Sequence, residues 1–500
     1  METPAWVTDS VFYQIFPDRF AQSTRLSKQG LRLEEWESPP TTYGFKGGDL
    51  LGVAEHLDYL LDLGVNALYL NPVFASASNH RYHTYDYYNV DPLLGGNAAL
   101  RELLDAAHAR GIRVILDGVF NHASRGFWQF HHTLESGEAS PYVDWFHFDA
   151  ERLTRRRHWG AYPSPEEQQA ILKEGSLRAV GYQGWWELPA LPKFNTNSPA
   201  VREFLYGVAQ HWTRFGIDGW RLDVPNEIND DEFWREFRRR VRSINSDIYI
   251  VGEIWNDARR WLQGDQFDAT TNYPLTAACL GFLCGDHLDL QQTLRAGGYH
   301  GQVWRMDARA FAERIDSHLR LYRPEVTRVQ LNLLDSHDTA RFITSSSGDL
   351  GSLKLALTFL MTFPGAPCIF YGDEIGLAGG HDPQCRQAFP WARHHWNLDL
   401  LEFTRNLIRL RRSSAELRWG DFRCLAAEAS AYAFERCLEG RRTVVALNAG
   451  EEPQELLLDL GVRQEQPLRV ILGAPEIEPG AQSVVRIPAR TAVIFRREAT

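Results

Sequence analysis

Four short segments of this 500-residue chain close an apolar run with ionisable residues. "ILDGVFNH" supplies Asp117, Asn121 and His122, and "GWRLDVPNE" supplies Arg221, Asp223 and Glu227. "VGEIW" supplies Glu253, and "LLDSHD" ends on His337 and Asp338. In a strand, residues two apart share a face, so Arg221 and Asp223 point one way and Trp220, Leu222 and Val224 the other. A charged strand face is costly unless its charges are paired. Each segment alone has a structural explanation: Asp117 as a helix cap or arginine partner, His122 as a satisfied buried histidine, His337 and Asp338 as an N-cap. Together they are harder to explain, because the groups would converge and repel, a cost usually tolerated for function. Three carboxylates around a groove suit metal binding or glycoside cleavage. The second needs an ionised nucleophile and a protonated acid, about 5–5.5 Å apart for a retaining outcome. Arg221 would hold Asp223 ionised, and the apolar company of Ile254 and Trp255 would let Glu253 keep a proton for a leaving oxygen.

Elements of the right kind exist to position these groups. Eight apolar runs fall at 11–16, 67–72, 112–120, 217–224, 248–255, 267–273, 328–338 and 367–375, with amphipathic helical patterns between most of them. Near-continuous apolar strands alternating with helices imply a parallel sheet covered on both faces. Eight units predict an α/β fold, a closed (β/α)8 TIM barrel over residues 1–122 and 186–418, whose strand C-terminal ends carry the chemistry. The stretch 123–185, rich in His, Arg, Trp and Pro, reads as a loop subdomain after strand three. From 419 to 500, runs such as "RTVVALNA" and "SVVRIPA" change the pattern to a C-terminal antiparallel β-sandwich domain.

Hydrophobic residues make up 44% of the chain and charged residues 23%, ordinary for a globular protein. The net charge of −11, with no basic block, argues against nucleic acid as a partner. No apolar run reaches the roughly 18 residues of a membrane span, and the N-terminus lacks a signal-peptide pattern. Six scattered Cys with no zinc-like spacing read as free thiols in a reducing compartment, so a cytoplasmic location is expected. The 16 Trp and 18 Tyr include loop residues suited to stacking on sugar faces.

In the order "DGVFNH", "GWRLDVPNE", "GEIW", "LLDSHD", the chain resembles the alpha-amylase superfamily of glycoside hydrolases from Val11 onward. The resemblance implies Asp223 as nucleophile, Glu253 as general acid/base and Asp338 as the carboxylate that binds sugar hydroxyls. It implies that Arg221 and Asp117 orient the nucleophile and that His122 and His337 bond the sugar in the cleavage subsite. Tyr82, in "NHRYHTYDY", would stack on that sugar, and Asp382 with Arg386, in "HDPQCR", match a further sugar-binding pair. "LPKFN" is similar to a signature of the cyclomaltodextrinase, neopullulanase and maltogenic amylase subgroup, and Glu227 matches an acceptor-side glutamate there. The implied partners are α-glucan oligosaccharides: cyclodextrins, maltooligosaccharides and pullulan, cleaved at α-1,4 bonds, with α-1,6 cleavage and transglycosylation as further expectations. A glucanotransferase, an ordinary α-amylase or a debranching enzyme on the same fold are the alternatives; a sugar-binding barrel without catalysis would lack the carboxylates, and Asp223, Glu253 and Asp338 are all present. No cofactor or metal is expected: the family's usual calcium stretch reads "DRFAQSTRLSKQG" here, with no carboxylate between Asp18 and Glu34. His83 stands where the subgroup commonly has Asp. Relatives often dimerise through a β domain preceding the barrel, and this chain starts almost at strand one, so a homodimer would need another route.

Overall fold

The computed structural model describes residues 3–155, 162–461, 468–478, 480 and 482–497. The rest of the expected loop subdomain (156–161) and of the C-terminal domain (462–467, 479, 481 and 498–500) lies outside them.

All eight expected strands form: β1 (Phe12–Ile15), β2 (Ala67–Leu70), β3 (Arg113–Gly118), β4 (Gly219–Leu222), β5 (Tyr249–Gly252), β6 (Ala269–Thr270), β7 (Leu331–Leu333) and β8 (Ala366–Phe370). They pair in parallel in the order β6-β5-β4-β3-β2-β1-β8-β7. A parallel bridge between Thr271 and Leu331, backed by Asn272 N donating to Leu331 O at 2.8 Å, closes the ring. β6 is much shorter than the run 267–273 suggests. Asn272 ends it, its side chain capping the helix Tyr273–Leu283 through Leu275 N.

The strands are buried on both faces because helices cover the outside and side chains fill the inside. The helix Pro199–Phe215 shows how a covering element is specified. Proline sits in its first turn, Gly216 ends it at φ 102°, and Val201, Leu205, Val208, Ala209 and Trp212 line its buried face. It delivers the chain into β4, where Asp117 pairs in register with Arg221, and Arg221 with Val251 on β5. That register sets the charged residues of β3, β4 and β5 side by side at one end of the barrel.

The insert after β3 carries the helices Trp128–Ser136, Pro165–Glu174 and Ser176–Val180. It folds back through bridges from Phe148 to Tyr182, Phe146 to Phe194 and His122 to Lys193. Beyond the barrel, β9 (Asp421–Glu428), β10 (Ala431–Leu438), β11 (Arg441–Asn448), β13 (Arg469–Leu472) and β16 (Thr491–Arg497) form one antiparallel sheet. β12 (Gln454–Leu458), β14 (Glu476–Glu478) and β15 (Ser483–Ile487) form another. Alternation along the strands divides the burial. Ala433, Val444, Ala446 and Phe495 face Leu456, Leu458, Val485 and Ile487 in a core between the sheets. Tyr432, Phe434 and Val445 face the barrel's core, with Phe434 edge-on to Phe359 at 5.7 Å.

Candidate active site

Arg221 is the hub of the site. Its buried guanidinium reaches Asp117 Oδ1 and Oδ2 at 2.9 and 3.0 Å, Asp223 Oδ1 at 3.3 Å and Glu253 Oε1 at 3.1 Å. Asp117 Oδ2 also accepts the hydroxyls of Tyr69 and Tyr82, both at 2.8 Å. Burial pushes the Asp117 carboxyl up to about 6, while Arg221 and the two hydroxyls pull against it. Burial, and then the neighbouring Glu253, push the Asp223 carboxyl well above its ordinary value, against the pull of Arg221. Asp223 Oδ2 is buried and has no hydrogen-bond partner among the described residues.

Glu253 departs from the sequence reading. It does not sit in purely apolar company, because Oε1 receives Trp255 Nε1 at 3.2 Å and is ion-paired with Arg221, and Oε2 receives Val224 N at 3.1 Å. Arg221 therefore serves both carboxylates rather than Asp223 alone. Val224 supplies its N–H from a left-handed conformation, φ 37° and ψ 50°. That is an outlier for a β-branched residue and costs about 1–3 kcal/mol.

His337 links this cluster to a second one. Its Nδ1 lies 2.9 Å from Gln14 Nε2 and 3.2 Å from Asn71 Nδ2, and its Nε2 lies 2.6 Å from the Tyr82 hydroxyl and 3.2 Å from Asp338 Oδ2. With amide groups facing Nδ1, the network assigns the proton to Nε2. Burial, then Arg386 and Arg221, lower the imidazole well below its ordinary value, so it is neutral. The Tyr82 ring stacks on it at 5.5 Å with the planes 6° apart. Arg386 then holds Asp338 Oδ1 at 3.3 Å and Asp382 Oδ1 at 3.1 Å, and its Nε donates to His337 O at 2.8 Å. One chain of contacts thus runs Asp382–Arg386–Asp338–His337–Tyr82–Asp117–Arg221, ending on Asp223 and Glu253.

His122 and Glu227 flank that chain. His122 is buried, with Asn121 Nδ2 3.3 Å from its Nδ1 and Nε2 unpartnered among the described residues. Burial lowers it to about 3. Glu227 Oε2 lies 3.6 Å from Lys193 Nζ, which also donates to Glu227 O at 3.1 Å. Beside them is a stack that sequence reasoning left unassigned. The Trp185 ring lies between His122 (4.9 Å, 9°) and Trp186 (4.6 Å, 16°). Both faces of Trp185 are thereby covered. Trp186 is 74% exposed and has φ 50°.

Gln14, Tyr69 and Asn71 were also missed. Gln14 and Asn71 obey the same rule as the acidic residues, a polar side chain toward the C-terminal end of an apolar strand run. Tyr69 reads as one more core aromatic.

An apolar barrel ending in two carboxylates on one guanidinium, one of them with an unpartnered buried oxygen, has the groups that glycoside cleavage needs. Comparison with known proteins agrees: residues 14–406 match the alpha-amylase catalytic domain, and the chain belongs to the alpha-amylase family of glycoside hydrolases. It is 39% identical to a cyclomaltodextrinase of Geobacillus thermopakistaniensis over 99% of this chain and 78% of that protein. It is 42% identical to neopullulanase 2 of Thermoactinomyces vulgaris, over 92% and 72%. The crystal structure of a Nostoc punctiforme debranching enzyme superposes with a TM-score of 0.87 at 44% identity, covering 99% of both chains.

Proposed function

We propose that this enzyme is a retaining hydrolase of α-glucosidic bonds in cyclodextrins, maltooligosaccharides and pullulan, with α-1,6 bonds among its targets. The observation that carries this reading is the Arg221 guanidinium shared by Asp117, Asp223 and Glu253, with Asp223 Oδ2 left free. Asp223 attacks the anomeric carbon as the glycosidic C–O bond breaks, and Glu253 gives its proton to the leaving oxygen. Glu253, now ionised, takes a proton from water, which attacks the glycosyl ester and frees Asp223. Asp338, held between Arg386 and His337, accepts bonds from sugar hydroxyls, His122 donates through its unpartnered Nε2, and His337 lines the same subsite. Glu227 lies on the acceptor side, where a second sugar in place of water gives transglycosylation. The four buried free thiols, Cys279, Cys284, Cys368 and Cys385, fit a reducing cytoplasm. No helix among the described residues is long and apolar enough to cross a membrane.

The test is product analysis on β-cyclodextrin, pullulan and soluble starch, with Asp223→Asn as the blank. Loss of cyclodextrin to maltose and glucose, with panose from pullulan, is the expected result. Degradation of starch alone would make the enzyme an ordinary α-amylase. The end-to-end likeness to a debranching enzyme favours a second reading, in which α-1,6 branches are the main target; debranching of glycogen faster than cyclodextrin opening would establish it.

A further inference from the structure

The segment from Asp18 to Asp49, where family resemblance points to calcium, has the oxygens of its buried aspartates committed to backbone N–H groups and to cations of the chain itself. Calcium needs six to eight oxygens, several from carboxylates, at about 2.3–2.6 Å. Asp18, fully buried, accepts Lys46 N (2.8 Å) and Gly47 N (3.1 Å) and forms an ion pair with Arg19, whose Nε lies 2.9 Å away. Asp49, also fully buried, accepts Ser23 N (2.9 Å), Gly52 N (2.7 Å) and the Lys28 ammonium. The Lys46 ammonium, 0% exposed, donates to Glu35 O, to Ser38 O at 2.7 Å and to Ser38 Oγ at 2.6 Å, with Glu34 Oε2 at 3.6 Å. Two carbonyls, a hydroxyl and a carboxylate around a buried cation are the donor types a calcium ion would take, and here an ammonium takes them. Among the described residues no group of three or more His, Cys, Asp or Glu could hold a metal. The residues present do not fit the ion.

We propose that Lys28 and Lys46 are built-in cations that hold this segment together in place of a divalent metal. What they hold bears on the site. Arg19 Nη2 and Asn79 Nδ2 both donate to Gly44 O, at 2.7 and 2.8 Å, tying the segment to the loop that carries Tyr82. Trp36 Nε1 donates to Phe389 O at 2.9 Å, tying it to the loop that carries Arg386. The two ammonium groups are positioning residues for both substrate-side loops.

The test uses the full chain and does not depend on which glucan is the substrate. Thermal unfolding is followed in EDTA and in excess CaCl2, and binding is probed with terbium as a luminescent calcium substitute. Wild type unfolds at the same temperature in both, and terbium shows no saturable binding. Lys28→Met and Lys46→Met each lower Tm by about 5 °C or more. Calcium does not restore it, Lys28→Arg recovers part of it, and KM rises more than kcat falls. A saturable calcium-dependent rise in wild-type Tm would overturn the proposal, as would Met variants as stable as wild type. Should the Met variants fail to fold, the wild-type comparison still decides.

Discussion

Arg221→Lys keeps the positive charge but removes the fork that spans three carboxylates, which makes it the sharpest probe of the site. In the native site one guanidinium makes two contacts to Asp117 and one each to Asp223 and Glu253, all within 3.3 Å. A single ammonium nitrogen cannot reach Asp117, Asp223 and Glu253 at once. Two charge-assisted hydrogen bonds are lost, worth about 1.5–3 kcal/mol each. That is about 3–6 kcal/mol of orientation, or roughly a 10²–10⁴-fold loss in kcat/KM. The pH profile moves as well. Moving the positive charge away from Asp223 raises that carboxyl further, so the acidic limb of the profile, set on the proposed mechanism by ionisation of Asp223, shifts to higher pH. The assay is initial-rate hydrolysis of β-cyclodextrin from about pH 4 to 9, with far-UV circular dichroism to confirm folding. A folded Arg221→Lys enzyme within about fivefold of wild type, with an unmoved acidic limb, would refute the hub argument.

Asp223→Asn should cut kcat by about 10⁴-fold or more with little change in binding, measured as turnover against calorimetric affinity for a short glucan. His122, lowered by burial to about 3, contributes stability that is full above the ordinary histidine value of about 6.5 and is lost as pH falls toward about 3. His122→Gln should therefore flatten the fall in Tm between about pH 7 and 5. Trp186→Ala should leave Tm unchanged, since the ring is exposed at a left-handed backbone position, and raise KM for long glucans about 2–10-fold through lost stacking. An unchanged KM across chain lengths would take Trp186 out of substrate binding.

The barrel was legible because its signal repeats: eight apolar runs, most with a helix pattern between them, leave few other architectures. The carboxylates were legible because ionisable residues are out of place on buried strands. What was hidden depends on contacts between distant segments. Tyr69 is a core aromatic by pattern and a ligand of Asp117 only once β2 lies beside β3. The companions of Glu253 were misjudged because its neighbours in sequence are apolar, whereas Arg221 and Val224 N come from β4 and the turn that follows it. The left-handed Val224 could not be foreseen, since backbone propensity opposes it. It persists because its N–H has a carboxylate to hold, which is where local preference is expected to lose to the site. Trp185 and Trp186, adjacent in sequence, gave no hint that one ring would cover the other.

The central claim is that Asp223 becomes covalently attached to the sugar. A fluorinated α-maltosyl donor that slows hydrolysis of the ester would trap that species, and peptide mass spectrometry would locate it. The expected result is one glycosylated peptide containing Asp223, absent from Asp223→Asn. A label on any other carboxylate, or full turnover of the donor by Asp223→Asn, would contradict it.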